Sequence, residues 1–426
     1  MIRFGKIAAL ALAAAVILFP AILSAQTSKA QQIDELVRRF ADEGYFAGSV
    51  VASENGEVFY EKAFGLANAD FKIPNKPDTR IGIASITKPM TGVILSKLID
   101  EKKVAMTDKL SKFIPDFPRG EDITVEMLYR HRAGVPHRVM PAEMEASPYT
   151  SEQMIEKIKQ AKLDFEPGVQ RGYSSGGYTV LARVLEIASG KTYAELLDKY
   201  VFAPAGMTDS LDFQGEPIME RRAQDYLLSS NGMINAALKD YSFLIGAGSV
   251  FSTARDTYRF AEAVVDGKYG EMILTDYAAD GVFDASGRTN GHRAYVELAK
   301  EKKYGFAVLS NLSSGAFDII TQGLREILKG EDLSVNDFRV PKIIPNPNKD
   351  LPDFAGRYDR DDGGAFNIVL RDGYLYSANI QLLPTKPDCF FEYSFFAEVC
   401  FGRNDADKVN TIVWKGFGFE LKGTKQ

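Results

Sequence analysis

The 426-residue sequence predicts an α+β fold whose antiparallel sheet is built from two distant parts of the chain. A helix and a hairpin (residues 32–64) come first, and a buried strand and a helix (residues 304–328) follow only after a long, mainly helical block. This order predicts a sheet flanked by helices, a helical subdomain inserted between its strands, and a cleft between the two. Short alternating runs beyond residue 352 predict a small antiparallel β domain.

The first 25 residues resemble a secretory signal. Arg3 and Lys6 precede a run that is almost wholly apolar from Ile7 to Leu23, and Ser24-Ala25 offers a small-residue cleavage point. We therefore expect a signal peptide over residues 1–25 and a periplasmic or secreted protein. The alternative is an uncleaved membrane anchor.

The first helix and hairpin are indicated by periodicity and by a turn signal. Apolar residues recur at helical spacing from Gln32 to Glu43. Asn55-Gly56 then separates two runs typical of strands, and this dipeptide strongly favours a two-residue hairpin turn.

Ser85-Ile86-Thr87-Lys88 opens the next predicted helix, which runs to about Lys102 with Pro89 in its first turn. Positions i and i+3 of a helix lie on one face, so Ser85 and Lys88 can point into the same cleft. A partly desolvated lysine can accept the proton of a serine hydroxyl. The pair therefore predicts a serine nucleophile that works without histidine.

The later elements are read in the same way. Tyr178 to Ala188 predicts an apolar helix, and Thr253 to Asp256 resembles a capped helix start. Tyr304 to Leu309 predicts a buried strand, and Phe317 to Leu328 predicts a helix after it.

Residues 340–352 are rich in proline, asparagine and lysine, which is typical of a linker. Cys389 and Cys400 are the only cysteines, and both follow this linker. In an exported protein they could face each other across a hairpin and form a disulfide, or they could be two buried thiols. The formal net charge of −6 disfavours nucleic acid as a partner.

Six segments, in order, resemble the β-lactamase-related serine hydrolases, the group of class C β-lactamases, D-stereospecific peptidases and related esterases. They are Ile81-Gly-Ile-Ala-Ser-Ile-Thr-Lys-Pro-Met-Thr-Gly, Ile123-Thr-Val-Glu-Met-Leu-Tyr-Arg-His-Arg-Ala-Gly-Val-Pro, Phe165-Glu-Pro-Gly-Val-Gln-Arg-Gly-Tyr-Ser-Ser-Gly-Gly-Tyr, Ala203-Pro-Ala-Gly-Met-Thr-Asp-Ser, Gly246-Ala-Gly-Ser-Val-Phe-Ser-Thr-Ala-Arg-Asp and Ala307-Val-Leu-Ser-Asn. The resemblance implies a β-lactamase/transpeptidase-like domain over residues 26–339. The tail, residues 353–426, resembles the small β-barrel-like domain often appended to this family.

The resemblance also assigns roles to the second motif, which is usually Tyr-x-Asn and here reads Tyr173-Ser174-Ser175. Beside the Lys88 ammonium the pKa of a phenol should fall, so Tyr173 is expected to share the role of base. Ser175 replaces the asparagine that usually orients substrate and lysine, and its shorter hydroxyl would act through water or not at all.

The third motif, normally a basic residue or histidine followed by Ser/Thr and Gly, has two registers here. In the preferred one, Ala285-Ser286-Gly287 is the motif and the basic residue is lost unless Arg288 compensates. The backbone N–H groups of Ser85 and Arg288 would then form the oxyanion hole. In the other register the motif is Arg288-Thr289-Asn290, which keeps a cation but puts asparagine where glycine permits close approach.

A Ser-His-Asp enzyme is the alternative mechanism. The three histidines are His131, which the resemblance implies is structural, and His137 and His292, which are expected at the surface or behind the site. Gly172-Tyr-Ser174-Ser-Gly176 fits the G-x-S-x-G pattern, but the polar run before it is no buried strand.

We therefore predict an exported serine hydrolase that forms an acyl-enzyme on Ser85, assisted by Lys88 and Tyr173, and cleaves small esters, peptides or β-lactams. An esterase or a D-amino-acid or small-peptide hydrolase is favoured over a dedicated β-lactamase. No metal or organic cofactor is expected. The competing hypothesis is a catalytically impaired penicillin-recognising binding or sensor protein of the same fold.

Overall fold

The computed structural model describes residues 28–426 except 214, 216, 230, 231, 302, 337, 347–349 and 379. The predicted signal peptide, residues 1–25, lies outside the described residues. No helix within the described ranges is long and apolar enough to cross a bilayer.

The α-helices of the described residues all precede residue 330. They are α1 (Lys29–Ala41), α2 (Thr87–Asp100), α3 (Val125–Tyr129), α4 (Ser151–Lys159), α5 (Ser175–Ser189), α6 (Tyr193–Leu197), α7 (Ala203–Ala205), α8 (Ala254–Val265), α9 (Glu271–Ala278) and α10 (Ala316–Lys329).

The strands divide into two groups along the chain. The first group is β1 (Gly48–Glu54), β2 (Glu57–Phe64), β3 (Leu66–Asn68), β4 (Ile73–Pro74), β5 (Ile81–Gly82), β6 (Leu211–Asp212), β7 (Tyr226–Ser229), β8 (Gly232–Asn235), β9 (Val250–Ser252), β10 (Val282–Arg288), β11 (Arg293–Ala299), β12 (Tyr304–Ser310) and β13 (Leu312–Ser313). The second group is β14 (Gly356–Arg360), β15 (Ala365–Arg371), β16 (Tyr374–Ser377), β17 (Ile380–Gln381), β18 (Leu383–Lys386), β19 (Cys389–Glu392), β20 (Ala397–Arg403), β21 (Val409–Gly416) and β22 (Phe419–Lys425).

The predicted split sheet is present. Five antiparallel strands lie in the order β10-β11-β12-β1-β2, so the N-terminal hairpin joins strands from the far side of the helical block. Asn55 and Gly56 both have positive φ (53° and 80°), as a two-residue turn of this kind requires. This tight turn fixes the register of β1 against β2.

Alternation along β12 divides the core into two layers. Ala307 and Leu309 pack into the core that contains α2 and α5, whereas Phe306 and Val308 pack against α1 and α10. Both faces of the sheet are therefore covered, which explains why β12 is buried along its whole length.

The inserted block differs from the mainly helical prediction in one respect. Besides α2 to α9 it contains small two- and three-stranded sheets formed by β3 to β9, together with β13. These strands are only two to four residues long, so their sequence carries little alternation to detect.

The C-terminal strands form a nine-stranded antiparallel sheet that curves into a nearly closed barrel. Its own core contains Phe354, Tyr358 and Trp414. Cys389 and Cys400 are paired residues of β19 and β20 and form a disulfide. The family-like fold and the barrel-like tail are thus confirmed.

Candidate active site

Ser85 lies where β5 leads into α2. It is the middle residue of a 3-10 turn (Ala84–Ile86) that runs directly into the helix, rather than a residue of the α-helix itself as predicted. Ala84 has φ 48°, a conformation that costs a non-glycine residue roughly 1 kcal/mol or more. This turn leaves Ser85 half-buried in the wall of the cleft.

Lys88 is one turn further along and is buried, with 4% of its surface exposed. Its Nζ lies 3.2 Å from Ser85 Oγ, 3.3 Å from Ser175 Oγ and 2.9 Å from the Ala247 carbonyl oxygen. Burial lowers the pKa of Lys88 to about 7, because the charged form loses its hydration. A substantial fraction of this lysine is therefore a neutral amine at neutral pH.

The contacts of Lys88 fit the neutral form. A neutral amine has two N–H groups and one lone pair. When the two N–H groups are donated to Ala247 and Ser175, the lone pair remains for the Ser85 hydroxyl. The geometry therefore places a group that can accept a proton at hydrogen-bond distance from the Ser85 hydroxyl.

Tyr173 contacts Ser85 from the other side. Its hydroxyl donates to Ser85 Oγ at 2.8 Å. The expected fall in its pKa is wrong, because desolvation raises the pKa of Tyr173 and the hydrogen bond to Ser85 offsets this only in part. Lys88 Nζ lies over the tyrosine ring, 4.8 Å from its centroid. Tyr173 is consequently protonated at neutral pH, so Lys88 is better suited than Tyr173 to accept the Ser85 proton.

Ser175 reaches the lysine directly. Its Oγ lies 3.3 Å from Lys88 Nζ, which corrects the expectation that the shorter hydroxyl would act through water or not at all. The backbone N–H of Ser175, the first residue of α5, donates to Nδ1 of His137 at 3.2 Å. His137 therefore positions the start of α5, a role that its sequence context did not signal.

The third-motif strand β10 lies against the nucleophile turn in the preferred register. A Cβ added at Gly287 would lie 2.0 Å from the Ile83 carbonyl oxygen, so only glycine fits there. Asn290 lies beyond the strand, in the β10–β11 turn. The close approach favours Ala285-Ser286-Gly287 as the motif and brings the backbones of Ser85 and Arg288 to the same cleft.

Two cavities meet at Ser85. One, of about 770 Å³, is lined by Lys88, Tyr173, Ser286 and Gly287. The other, of about 790 Å³, is lined by Ser175 and by residues from the helical subdomain and the C-terminal sheet. Ser85, His137 and Arg288 line both cavities. A scissile carbonyl at Ser85 would thus have separate room for its two substituents.

The alternative nucleophile, Ser174, has another role. It is buried, its Oγ accepts from Gly177 N at 2.8 Å as the N-cap of α5, and its hydroxyl donates to the Pro136 carbonyl. His131 is also buried, and its Nδ1 accepts from Ser174 N. Desolvation, with the Lys88 charge as a second cause, lowers the pKa of His131 to about 4. This geometry supports a structural role for both residues.

His292 is buried behind the third motif. Its Nε2 lies 2.7 Å from Asp225 Oδ1, and the Tyr241 hydroxyl donates to the other carboxylate oxygen at 2.5 Å. Although burial opposes its charge, the contact with His292 holds the pKa of Asp225 below its usual value. The backbone carbonyl of His292 accepts a hydrogen bond from Thr289 N. His292 and its partners Asp225 and Tyr241 therefore stabilise the turn after Arg288. Asp225 has no recognisable signal in the sequence.

Comparison with known proteins agrees with this geometry. The family model described as Beta-lactamase matches residues 33–328. A putative penicillin-binding protein PbpX of Bacillus subtilis (strain 168) is 27% identical over 292 residues, which is 67% of this chain and 72% of that protein. A teichoic acid D-alanine hydrolase of Staphylococcus aureus (strain MRSA252) is 27% identical over 299 residues, 70% of each chain.

The solved structures show the same fold. The D-amino acid amidase of Ochrobactrum anthropi SV3 superposes with a TM-score of 0.61 at 21% identity, over 70% of this chain and 96% of the amidase. The family match spans well over half of the chain and includes the Ser85 turn, α5 and β10. The chain therefore belongs to the β-lactamase family and is a serine hydrolase.

Proposed function

We propose that the protein hydrolyses small esters or amides through an acyl-enzyme on Ser85. The observation that carries this proposal is the position of the buried Lys88 amine, with its pKa of about 7, 3.2 Å from Ser85 Oγ. The phenol of Tyr173, 2.8 Å from the same oxygen, supplies an acid beside the base.

The residues account for a balanced reaction. Ser85 Oγ forms a bond to the substrate carbonyl carbon while its proton passes to Lys88. The N–H groups of Ser85 and Arg288 stabilise the oxyanion. Tyr173 donates its proton to the departing alkoxide or amine, and the proton that Lys88 accepted from Ser85 then restores the phenol and leaves the amine neutral. Water then attacks the acyl carbon of the ester and its proton passes to the neutral Lys88. The bond to Ser85 Oγ breaks, Lys88 returns the proton to this oxygen, and the acid is released.

The substrate class proposed is an ester or amide of a D-amino acid or a similarly small acyl group, with β-lactams as acylating agents. The names of two relatives support it, one a D-alanine hydrolase and the other a D-amino acid amidase. Direct contact between Ser175 and Lys88 favours an active site over the binding or sensor alternative, because the changed second motif still holds the base.

We also propose that the protein is exported, to the periplasm or the medium. The Cys389–Cys400 disulfide supports this location, because disulfides persist in oxidising compartments. The basic and then apolar sequence of residues 1–25 supports it independently. Fractionation of cells expressing the full chain tests it, and retention in the cytoplasm would overturn it.

A pair of serine variants tests the catalytic assignment. Ser85→Ala should abolish hydrolysis of p-nitrophenyl acetate and of D-alanine amide. Ser174→Ala, the matched change three residues before Gly177, should lower stability but keep turnover. Activity that survives Ser85→Ala would contradict the proposal, as would activity that depends instead on Ser174 and a histidine.

A further inference from the structure

The C-terminal sheet contributes a wall to the cavity beside Ser85. Ile380, the first residue of β17, and Ser394 and Phe395, from the β19–β20 turn, line the same 790 Å³ cavity as Ser85 and Ser175. The cavity therefore lies between the catalytic domain and the C-terminal sheet, and a substituent on a substrate bound at Ser85 could contact both.

The β19–β20 turn is held in one conformation by a buried carboxylate. Glu392 is fully buried. It accepts hydrogen bonds from Ser394 N at 2.9 Å, Ser394 Oγ at 2.5 Å and Phe395 N at 2.7 Å. Three bonds to one carboxylate fix the turn before any ligand arrives, so little ordering would be needed on binding.

The same turn is anchored to the catalytic domain. The Phe396 ring packs edge-on against Phe40 of α1 (5.4 Å between centroids) and against Tyr45 (5.7 Å). A Cβ at Gly315, which precedes α10, would lie 2.3 Å from the Phe395 carbonyl carbon. The backbone of the turn is thus seated against Gly315, while the Phe395 ring remains 49% exposed.

The cavity that Phe395 lines has a mixed lining that contains a group of large apolar side chains. Its other large members include Val139, Leu227, Leu238, Phe243 and Ile380. Leu238 is 74% exposed, so its side chain is accessible to a ligand. Lys239 and Glu145, which also line the cavity, form an ion pair with each other, so the charged side chains left in the lining are Arg138 and Arg288.

We propose that the β19–β20 turn is a specificity element that binds an apolar chain of the substrate, with Phe395 as its principal contact. The inference rests on the proposed acylation of Ser85 and adds the class of substrate, which is an ester or amide bearing an aliphatic or aromatic group several carbons long. Each methylene buried against this wall should raise kcat/KM by about fourfold until the wall is covered.

Two substrate series test the proposal and locate the chain. One keeps the p-nitrophenyl leaving group and lengthens the acyl chain from acetate to octanoate. The other keeps the acetyl group and lengthens the alcohol, with acid release as the readout. In one of the two series, kcat/KM of the wild type should rise with chain length. At the chain length that the wild type prefers, Phe395→Ala should lower kcat/KM at least tenfold. For p-nitrophenyl acetate the same variant should change kcat/KM less than threefold.

Two further variants serve as controls. Tyr374→Ala, in β16, removes a ring of equal exposure (50%) from the same sheet but away from the cavity, and should follow the wild type. Phe395→Leu should retain most of the chain-length preference that Phe395→Ala loses. Circular dichroism and thermal melting establish that each variant is folded.

The outcomes separate the two levels of the proposal. An unchanged chain-length dependence in Phe395→Ala, or none in either series for the wild type, overturns the specificity element while leaving acylation of Ser85 intact. Absence of p-nitrophenyl acetate turnover together with absence of an adduct on Ser85 overturns the proposed function and the specificity element with it.

Discussion

Lys88 Nζ lies 3.2 Å from Ser85 Oγ, and the buried amine has a pKa near the pH at which it would work. A base is most effective when its pKa is near the operating pH. Because Ser85 and Lys88 are only three residues apart, their separation is fixed by one turn of backbone. The remainder of the site positions these two groups.

The pH dependence of activity should report Lys88. The base must be neutral, so kcat/KM for p-nitrophenyl acetate should rise with pH and reach half its plateau near pH 7. Lys88→Arg should lower kcat by roughly 10²–10⁴-fold, since a guanidinium stays protonated. A profile that is flat from pH 5 to 9 in the wild type would contradict the assignment of Lys88 as base.

The same lysine should make stability depend on pH. Its pKa is about 7 in the folded state and about 10.4 in the unfolded chain, so between these values the unfolded state binds the extra proton. The free energy of unfolding of the wild type, relative to Lys88→Met, should therefore rise with pH by up to about 1.4 kcal/mol per unit. Urea titrations at pH 7 and pH 9 measure this difference. A difference that does not change between them would show that Lys88 is charged in the fold.

Tyr173→Phe should separate substrates by leaving group. The change keeps the ring contacts with His131 and His137 and removes only the hydroxyl. Amides need a protonated leaving group, whereas p-nitrophenolate does not. We expect kcat for a D-amino acid amide to fall roughly 10²–10³-fold and that for p-nitrophenyl acetate much less. Equal losses for both substrates would argue that the phenol acts as a base.

Gly287→Ala tests the register of the third motif. The new Cβ would lie 2.0 Å from the Ile83 carbonyl oxygen, so β10 must move away from the nucleophile turn. Turnover should fall at least 100-fold, together with a lower melting temperature. Asn290→Ala, at the position of the motif glycine in the other register, should be tolerated far better. The reverse order of severity would favour that other register.

The disulfide should stabilise the C-terminal sheet. Its cysteines are 11 residues apart in sequence, and a closed loop of this size contributes about 2–3 kcal/mol. Cys389→Ser with Cys400→Ser should lower the free energy of unfolding by that amount while the catalytic residues stay in place. Denaturant titration with and without a reductant measures it. A double variant as stable as the wild type would show that the strand pairing alone is sufficient.

Local signals in the sequence explain most of the fold. Asn55-Gly56 predicted the hairpin correctly, because both residues tolerate positive φ. The spacing of Ser85 and Lys88 predicted the contact between their side chains, because that contact depends on one turn of backbone. The short strands β3 to β9 were not predicted, since strands of two to four residues carry too little alternation to detect.

The misjudged features of the site depend on tertiary packing. The pKa of Tyr173 depends on how closely the site encloses its hydroxyl, which no spacing reveals. Asp225 contacts His292 across 67 positions of the chain, and a lone aspartate has no pattern of its own. The place of Phe395 in the cleft follows from the packing of the β19–β20 turn against Gly315 and α1, which are distant in sequence.

Mapping the acyl-enzyme tests the central claim most directly. The protein is mixed rapidly with p-nitrophenyl acetate or with a penicillin, quenched, digested and analysed by mass spectrometry, with Ser85→Ala as the control. We predict a burst of p-nitrophenol and a transient acetyl group on the peptide that contains Ser85. A penicillin adduct should also map to Ser85. An adduct on another residue, or a stable acetyl group that is never released, would contradict the account.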